Sequence, residues 1–87
     1  MPFEVRDVQV TPNPNAMKFV LDRKIADRPV SYLSAASAAS DEVAARLFAI
    51  PGVAGVLFLG DFITVNKRPD VKWSQITPAV RQVLSEA

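Results

Sequence analysis

The segment around Gly60-Asp61 constrains the fold of this chain most, because two strongly apolar runs flank it. Residues 53–59 and 62–67 are rich in β-branched and aromatic side chains, which favour strands. A two-residue loop that begins with glycine is typical of a type II′ hairpin, and it places Leu59 opposite Phe62. Because strand side chains alternate, one face of this hairpin is wholly apolar and is predicted to carry the core. That face holds Val56, Phe58, Ile63 and Val65.

The opposite face of the same hairpin is also unusually apolar. It holds Leu57, Leu59, Phe62 and Thr64. The free face of an antiparallel sheet normally presents polar side chains to water. The pattern therefore predicts a partner-binding surface at these four residues. The alternative is a local cover formed by residues 34–40 or by a chain terminus.

The N-terminal part of the sequence predicts a second hairpin. Residues 3–11 and 16–21 have strand patterns, and the turn Thr-Pro-Asn-Pro-Asn separates them. Apolar residues change phase within the first strand, which indicates a bulge near Arg6-Asp7. Residues 22–29 are predicted to form a polar loop, residues 30–33 a possible short strand and residues 34–40 a further loop.

Two helices complete the predicted fold. The first begins after Ser40 or Asp41, either of which can cap it, and Pro51-Gly52 ends it. The second covers residues 73–85, with Pro78 as an alternative start after a preliminary turn. These elements predict a single α+β domain over residues 1–87, built as a two-layer sandwich. A mostly antiparallel sheet of about four strands carries two helices on one face.

The composition excludes several kinds of chemistry. The chain has no cysteine and no histidine, so it cannot by itself form a zinc finger, a cysteine-held cluster or a Ser-His-Asp triad. Asp61 beside Thr64 lacks a positioned second group for acid–base work. We therefore predict no catalytic, metal or cofactor-binding residue and no enzymatic activity. A small enzyme that uses carboxylates with Ser or Thr is the less favoured alternative.

Two basic groups provide a second alternative, a small-molecule or nucleic-acid binding module. They are Arg23-Lys24 with Arg28, and Lys67-Arg68 with Lys72. Acidic residues interrupt both groups and the net charge is only +1, so we expect a solvated surface and no nucleic-acid partner. The longest nearly apolar run, residues 50–60, is too short to span a bilayer, so no membrane partner is expected. Cytoplasm is the simplest compartment.

Three segments together resemble a known family. They are residues 11–19, 47–53 and 61–67, and Trp73 follows the last segment at the expected distance. The chain resembles the N-terminal domain of Nfu/NifU-type iron–sulfur cluster scaffold proteins over nearly its whole length. One departure is Asp41-Glu42-Val43-Ala44, where the family commonly has Ser-Pro-Leu-Ala.

The resemblance implies an accessory function. In that family a separate domain holds the cluster through a Cys-x-x-Cys pair, so this domain is expected to contact proteins: a scaffold, a carrier or a client. A homodimer is a second possible arrangement. Asn13 and Asn15 are hypothetical recognition residues in the first turn, although their composition also suits a purely structural turn. Trp73 is predicted to lie in the core, with an interface anchor as the alternative.

Overall fold

Five antiparallel strands form one sheet in the computed structural model, which describes residues 2–87. In chain order they are β1 (Val5–Val10), β2 (Ala16–Leu21), β3 (Ala26–Tyr32), β4 (Val53–Gly60) and β5 (Phe62–Lys67). Their order across the sheet is β1-β2-β5-β4-β3, so the predicted hairpin β4-β5 lies near the centre. The predicted two-layer α+β fold is confirmed, with five strands in place of about four.

The turn at Gly60-Asp61 has the predicted geometry. Leu59 pairs with Phe62, so the loop contains only two residues. Gly60 has a φ of +57°, whereas no non-glycine residue described in the chain has a positive φ. A type I′ turn needs positive φ at both central residues, so Asp61 excludes it and type II′ fits. The first hairpin also has its expected bulge, since its register shifts between Val5 and Asp7.

Strand β3 corrects the prediction of a polar loop over residues 22–29. It begins at Ala26, includes Asp27, Arg28 and Pro29, and pairs only with β4. An edge strand has one side of its backbone facing solvent, which is why polar residues and a proline are tolerated within it. Its register with β4 shifts between Ala26 and Val30, and this irregularity hides the alternation that would have predicted a strand.

A short helix, α1 (Ala35–Ala38), replaces the loop predicted for residues 34–40. The Ser34 hydroxyl accepts a hydrogen bond from the Ser37 backbone N–H at 3.1 Å, and the Ser37 hydroxyl oxygen lies 3.3 Å from the Ser34 backbone nitrogen. This reciprocal capping, combined with the high helix propensity of alanine, explains the turn of helix. Ala38 is fully buried, so the segment packs against the core.

The two longer helices are α2 (Glu42–Phe48) and α3 (Trp73–Glu86). The Asp41 carboxylate caps α2 by accepting from the Ala44 N–H at 3.0 Å. Helix α3 begins at Trp73 and continues through Pro78, which corrects the alternative start at Pro78. Its first turn is held because the Lys72 backbone N–H donates to the side-chain oxygen of Gln75 at 3.1 Å.

All three helices lie on one face of the sheet and share one core with it. Buried sheet residues of this core are Phe19, Leu21, Val56, Phe58, Ile63 and Val65. The connected helical layer contributes Ala38, Ala44, Leu47, Ile50, Ile76, Val80 and Leu84. Burial of each large aliphatic or aromatic side chain contributes about 1.5–3 kcal/mol, so this layer provides most of the stabilisation of a small domain.

Candidate protein-interaction surface

The face of the sheet opposite the helices is organised in two rows of paired residues. The first row runs across four strands through Asp7, Val20, Phe62 and Leu59. The second row runs across all five strands through Gln9, Lys18, Thr64, Leu57 and Ser31. Paired residues in neighbouring strands project to the same side, so these nine residues form one surface, which we call the open sheet face.

The structure brings together the four hairpin residues that the sequence predicted. Leu57, Leu59, Phe62 and Thr64 are all partly exposed on the open sheet face. The structure establishes their common location, and their role in partner binding stays a prediction.

The segments considered as a cover for the open sheet face, residues 34–40 and the two chain ends, pack on the helix side of the sheet within residues 2–87. The segment around Ala38 packs on the helix side, where Ala38 is fully buried in the core. Phe3 packs against the same core, and its N–H donates to the Leu84 carbonyl at 2.8 Å. Helix α3 also buries its apolar residues on that side. Within residues 2–87, therefore, the local cover considered from the sequence is not formed.

Lys18 and Val20 belong to the surface, although the sequence analysis did not assign them to it. Alternation places Lys18 and Val20 on the same face of β2, but the position of β2 beside β5 depends on the strand order of the sheet. Lys18 Nζ lies 4.2 Å from the ring centroid of Phe62. Such a cation–π contact contributes about 0.5–1 kcal/mol at an exposed site.

The two asparagines of the first turn lie beyond the end of β2, outside the open sheet face. The Asn13 side-chain oxygen accepts from the Asn15 N–H at 2.9 Å, and the Asn15 side-chain oxygen accepts from Lys67 Nζ at 3.0 Å. Trp73 is partly buried against the core, and its indole donates to the Pro14 carbonyl at 3.0 Å. These contacts give both asparagines a structural role in the turn.

Several charged residues of the basic loops lie in exposed ion pairs. Among residues 2–87, no group of three potential metal-ligating side chains comes together. In the basic loops, Lys24 pairs with Asp27 at 2.9 Å and Arg68 pairs with Asp70 at 3.3 Å. Hydrogen bonding to Lys24 holds the pKa of Asp27 below its usual range. These ion pairs partly neutralise the basic groups considered from the sequence.

The fold and surface define a small two-layer α+β domain with helices on one side of its sheet and an open face with four apolar residues on the other. The chain belongs to the family described as "Scaffold protein Nfu/NifU N terminal", whose model matches residues 5–87. This result confirms the family resemblance of the three sequence segments. Among residues 2–87, no helix combines the length and apolar composition that crossing a bilayer requires.

Known proteins share this domain within longer chains. The mitochondrial NFU1 iron-sulfur cluster scaffold homolog of Drosophila erecta is 35% identical over 80 residues, which are 90% of this chain and 28% of that protein. Conserved virulence factor C of Staphylococcus saprophyticus is 30% identical over 83 residues, which are 95% of this chain and 22% of that protein. The chain thus spans less than a third of the length of these relatives.

A solved structure has the same fold. The solution structure of a NifU-like protein from Saccharomyces cerevisiae matches with a TM-score of 0.82 and 24% identity, covering 95% of this chain and 77% of that one. At this identity the match shows only that the two proteins share the same arrangement of strands and helices. It supports the five-stranded sheet with its helices on one side.

Proposed function

We propose that this domain is a non-catalytic adaptor that binds proteins of iron–sulfur cluster biogenesis or repair through its open sheet face. The observation that carries the proposal is the uncovered apolar group of Val20, Leu57, Leu59 and Phe62 on that face. Contiguous exposed apolar surface on a small domain is typical of an interaction site. Family membership supports the connection with cluster assembly.

The composition supports the proposal that a partner protein, and not this domain, holds the cluster. Iron–sulfur clusters are held mainly by cysteine thiolates, and this chain has neither cysteine nor histidine. The adaptor therefore contacts a scaffold, a carrier or a client protein that supplies the cluster ligands. A partner contact through Asn13 and Asn15 at the first turn is a separate prediction. A cytoplasmic location is also a prediction, made from the composition.

The test compares capture of cluster-assembly proteins by three immobilised forms of the domain under anaerobic conditions. The forms are wild type, Phe62→Ser and Val10→Ser, presented at equal density to purified host scaffold, carrier and Nfu cluster-domain proteins. Val10 is the matched control because its side chain is 84% exposed and it pairs with Met17, away from the open sheet face. We expect Phe62→Ser to lose binding and Val10→Ser to retain it.

Two results would contradict the proposal. Equal capture by wild type and Phe62→Ser would remove the open sheet face from the interaction, and capture of none of these proteins by wild type would remove the adaptor function. Thermal melts of all three forms accompany the experiment, since a folded Phe62→Ser domain is required for the comparison. Steep loss of binding with salt would instead favour the basic loops.

A further inference from the structure

Lys18 is the one cation within the two rows of the open sheet face, and its neighbours along its own row are uncharged. Gln9 and Thr64 flank it within its own row. Val20 is two residues along the same strand, and Phe62 lies under the ammonium group. Among residues 2–87, no side chain forms an ion pair or hydrogen bond with Lys18 Nζ.

Asp7 is the one carboxylate in the two rows, and both of its oxygens accept hydrogen bonds from residues of its own strand. One oxygen accepts from the Val8 N–H and the other from the Gln9 side-chain amide, each at 2.9 Å. Phe62 lies between the Lys18 ammonium and the apolar end of the surface at Leu59. The surface thus combines four apolar side chains with a cation that has no ion-pair partner among residues 2–87.

The unpaired Lys18 ammonium and the apolar side chains around it restrict the chemistry of a partner that can bind this surface. A wholly apolar partner that covered the face would also remove water from the Lys18 ammonium, and an unpaired buried charge costs several kcal/mol. The contact with Phe62 offsets only part of that cost. A partner carboxylate placed over Lys18 supplies the missing charge while the surrounding apolar groups remain in contact.

The dimensions of the surface favour a single helix as the occupant. The first row crosses four strands, and three inter-strand spacings make about 14 Å. The two rows are two residues apart along the strands, which is about 7 Å. An α-helix of about ten residues has a length of about 15 Å and presents one apolar stripe of similar width.

We infer that the open sheet face binds an amphipathic helix of a partner protein whose apolar stripe carries a glutamate or aspartate opposite Lys18. This inference rests on the proposed adaptor function and names the chemistry of the partner. A second copy of this chain fits the surface less well. A two-fold contact centred near Lys18 would bring the two ammonium groups together, and like charges oppose such a contact.

The experiment uses three synthetic amphipathic peptides of about eighteen residues, a length that gives a helix of about five turns. They share a leucine stripe and differ only at its central position, which is Glu, Gln or Lys. Each is titrated into the wild-type domain and into Lys18→Met, Lys18→Arg and Phe62→Ser variants, while backbone amide shifts are followed by NMR. Binding to the open sheet face shifts amides of β2, β4 and β5.

We expect the Glu peptide to bind wild type about tenfold more tightly than the Gln peptide, corresponding to one desolvated charge pair, and the Lys peptide to bind weakest. Lys18→Met should abolish the preference for Glu over Gln, and Lys18→Arg should retain it. Phe62→Ser should weaken all three peptides. An unchanged Glu preference in Lys18→Met, or no shift of β4 and β5 amides with any peptide, would overturn the inference.

The two proposals fail in distinguishable ways. Loss of protein capture in Phe62→Ser, together with full capture in Lys18→Met, would overturn the acidic-helix inference and leave the adaptor function standing. Concentration-dependent shifts of the same amides without peptide would assign the face to a second copy of the chain and overturn the inference in favour of a dimer. Full capture in both variants would overturn both proposals.

Discussion

The indole N–H of Trp73 donates a 3.0 Å hydrogen bond to the carbonyl oxygen of Pro14, 59 residues earlier in the chain. The bond joins the first residue of α3 to the turn between β1 and β2. A turn at the end of the sheet is thereby fixed to the helical layer. Lys67 Nζ strengthens this junction because it donates to the Asn15 side chain and lies 5.8 Å from the Trp73 ring centroid.

Replacement of Trp73 by Phe should destabilise the domain by about 1 kcal/mol, because it removes a hydrogen bond and leaves most of the aromatic packing. The free energy of unfolding is measured by urea denaturation with circular dichroism, since the chain has a single tryptophan. Pro14→Ala retains the carbonyl acceptor and should itself cost about 1 kcal/mol through added freedom of the unfolded chain. A Trp73→Phe domain as stable as wild type would show that the bond makes no net contribution.

Substitution of adjacent residues on the two faces of β5 should change the stability of the domain by very different amounts. Ile63 is fully buried, so Ile63→Ala should cost about 2–5 kcal/mol. Phe62 projects from the open sheet face, and Phe62→Ser should change the melting temperature little. Differential scanning calorimetry of both variants measures this contrast. A large loss of stability in Phe62→Ser would place Phe62 in a structural core and remove the proposed surface.

The two glycines with positive φ should differ in their tolerance of alanine. Gly52 has a φ of +98°, and a Cβ there would approach Val71 Cγ2 to 2.7 Å, so Gly52→Ala should cost at least about 2 kcal/mol. Gly60 has a φ of +57° and open space around it, so Gly60→Ala should cost only about 1–2 kcal/mol. Urea denaturation of the two variants measures the difference. Equal losses would contradict the steric contribution of Val71.

The hydrogen bonds between Asp22 and Glu4 predict a dependence of stability on pH. The Glu4 N–H donates to the Asp22 carboxylate at 3.0 Å, and this lowers the pKa of Asp22 below its ordinary value of 3.8. Because the folded state binds this proton less readily than the unfolded state, the stabilisation is present above about pH 4. It is lost as the pH falls through the lower pKa of the folded state.

Asp22→Ala should therefore be less stable than wild type at pH 7, and the difference should shrink below pH 4. Unfolding free energies measured from pH 2 to pH 7 follow the change. Asp22→Asn is the matched control, because it keeps an acceptor oxygen but has no charge to titrate. A difference between wild type and Asp22→Ala that stays constant over this range would contradict the role of the ionised carboxylate.

The central hairpin was predictable because local chemistry and alternation agree there. Gly60 permits the turn, and the apolar residues on both sides of it specify the register. Strand β3 was not predictable because Pro29 and a register shift remove the alternating pattern that is typical of a strand. Helix α1 was missed because a serine and alanine run has no hydrophobic period, although the spacing of Ser34 and Ser37 is a capping signal.

Part of the candidate surface was also predictable. Leu57, Leu59, Phe62 and Thr64 follow from the register of one hairpin, which the sequence specifies locally. Lys18 joins them only because β2 is hydrogen-bonded to β5, a pairing between segments more than forty residues apart. Long-range strand order depends on the packing of the whole sheet, so the charge at the centre of the surface could not be derived from local pattern.

The two irregular edges of the sheet determine how this domain can meet other molecules. The register of β1 with β2 shifts between Val5 and Asp7, and that of β3 with β4 shifts between Ala26 and Val30, where β3 contains Pro29. Such breaks deprive an incoming strand of a continuous ladder of backbone partners. Such edges disfavour edge-to-edge addition of strands from other molecules, so the open sheet face can stay exposed without further strands joining at the margins of the sheet.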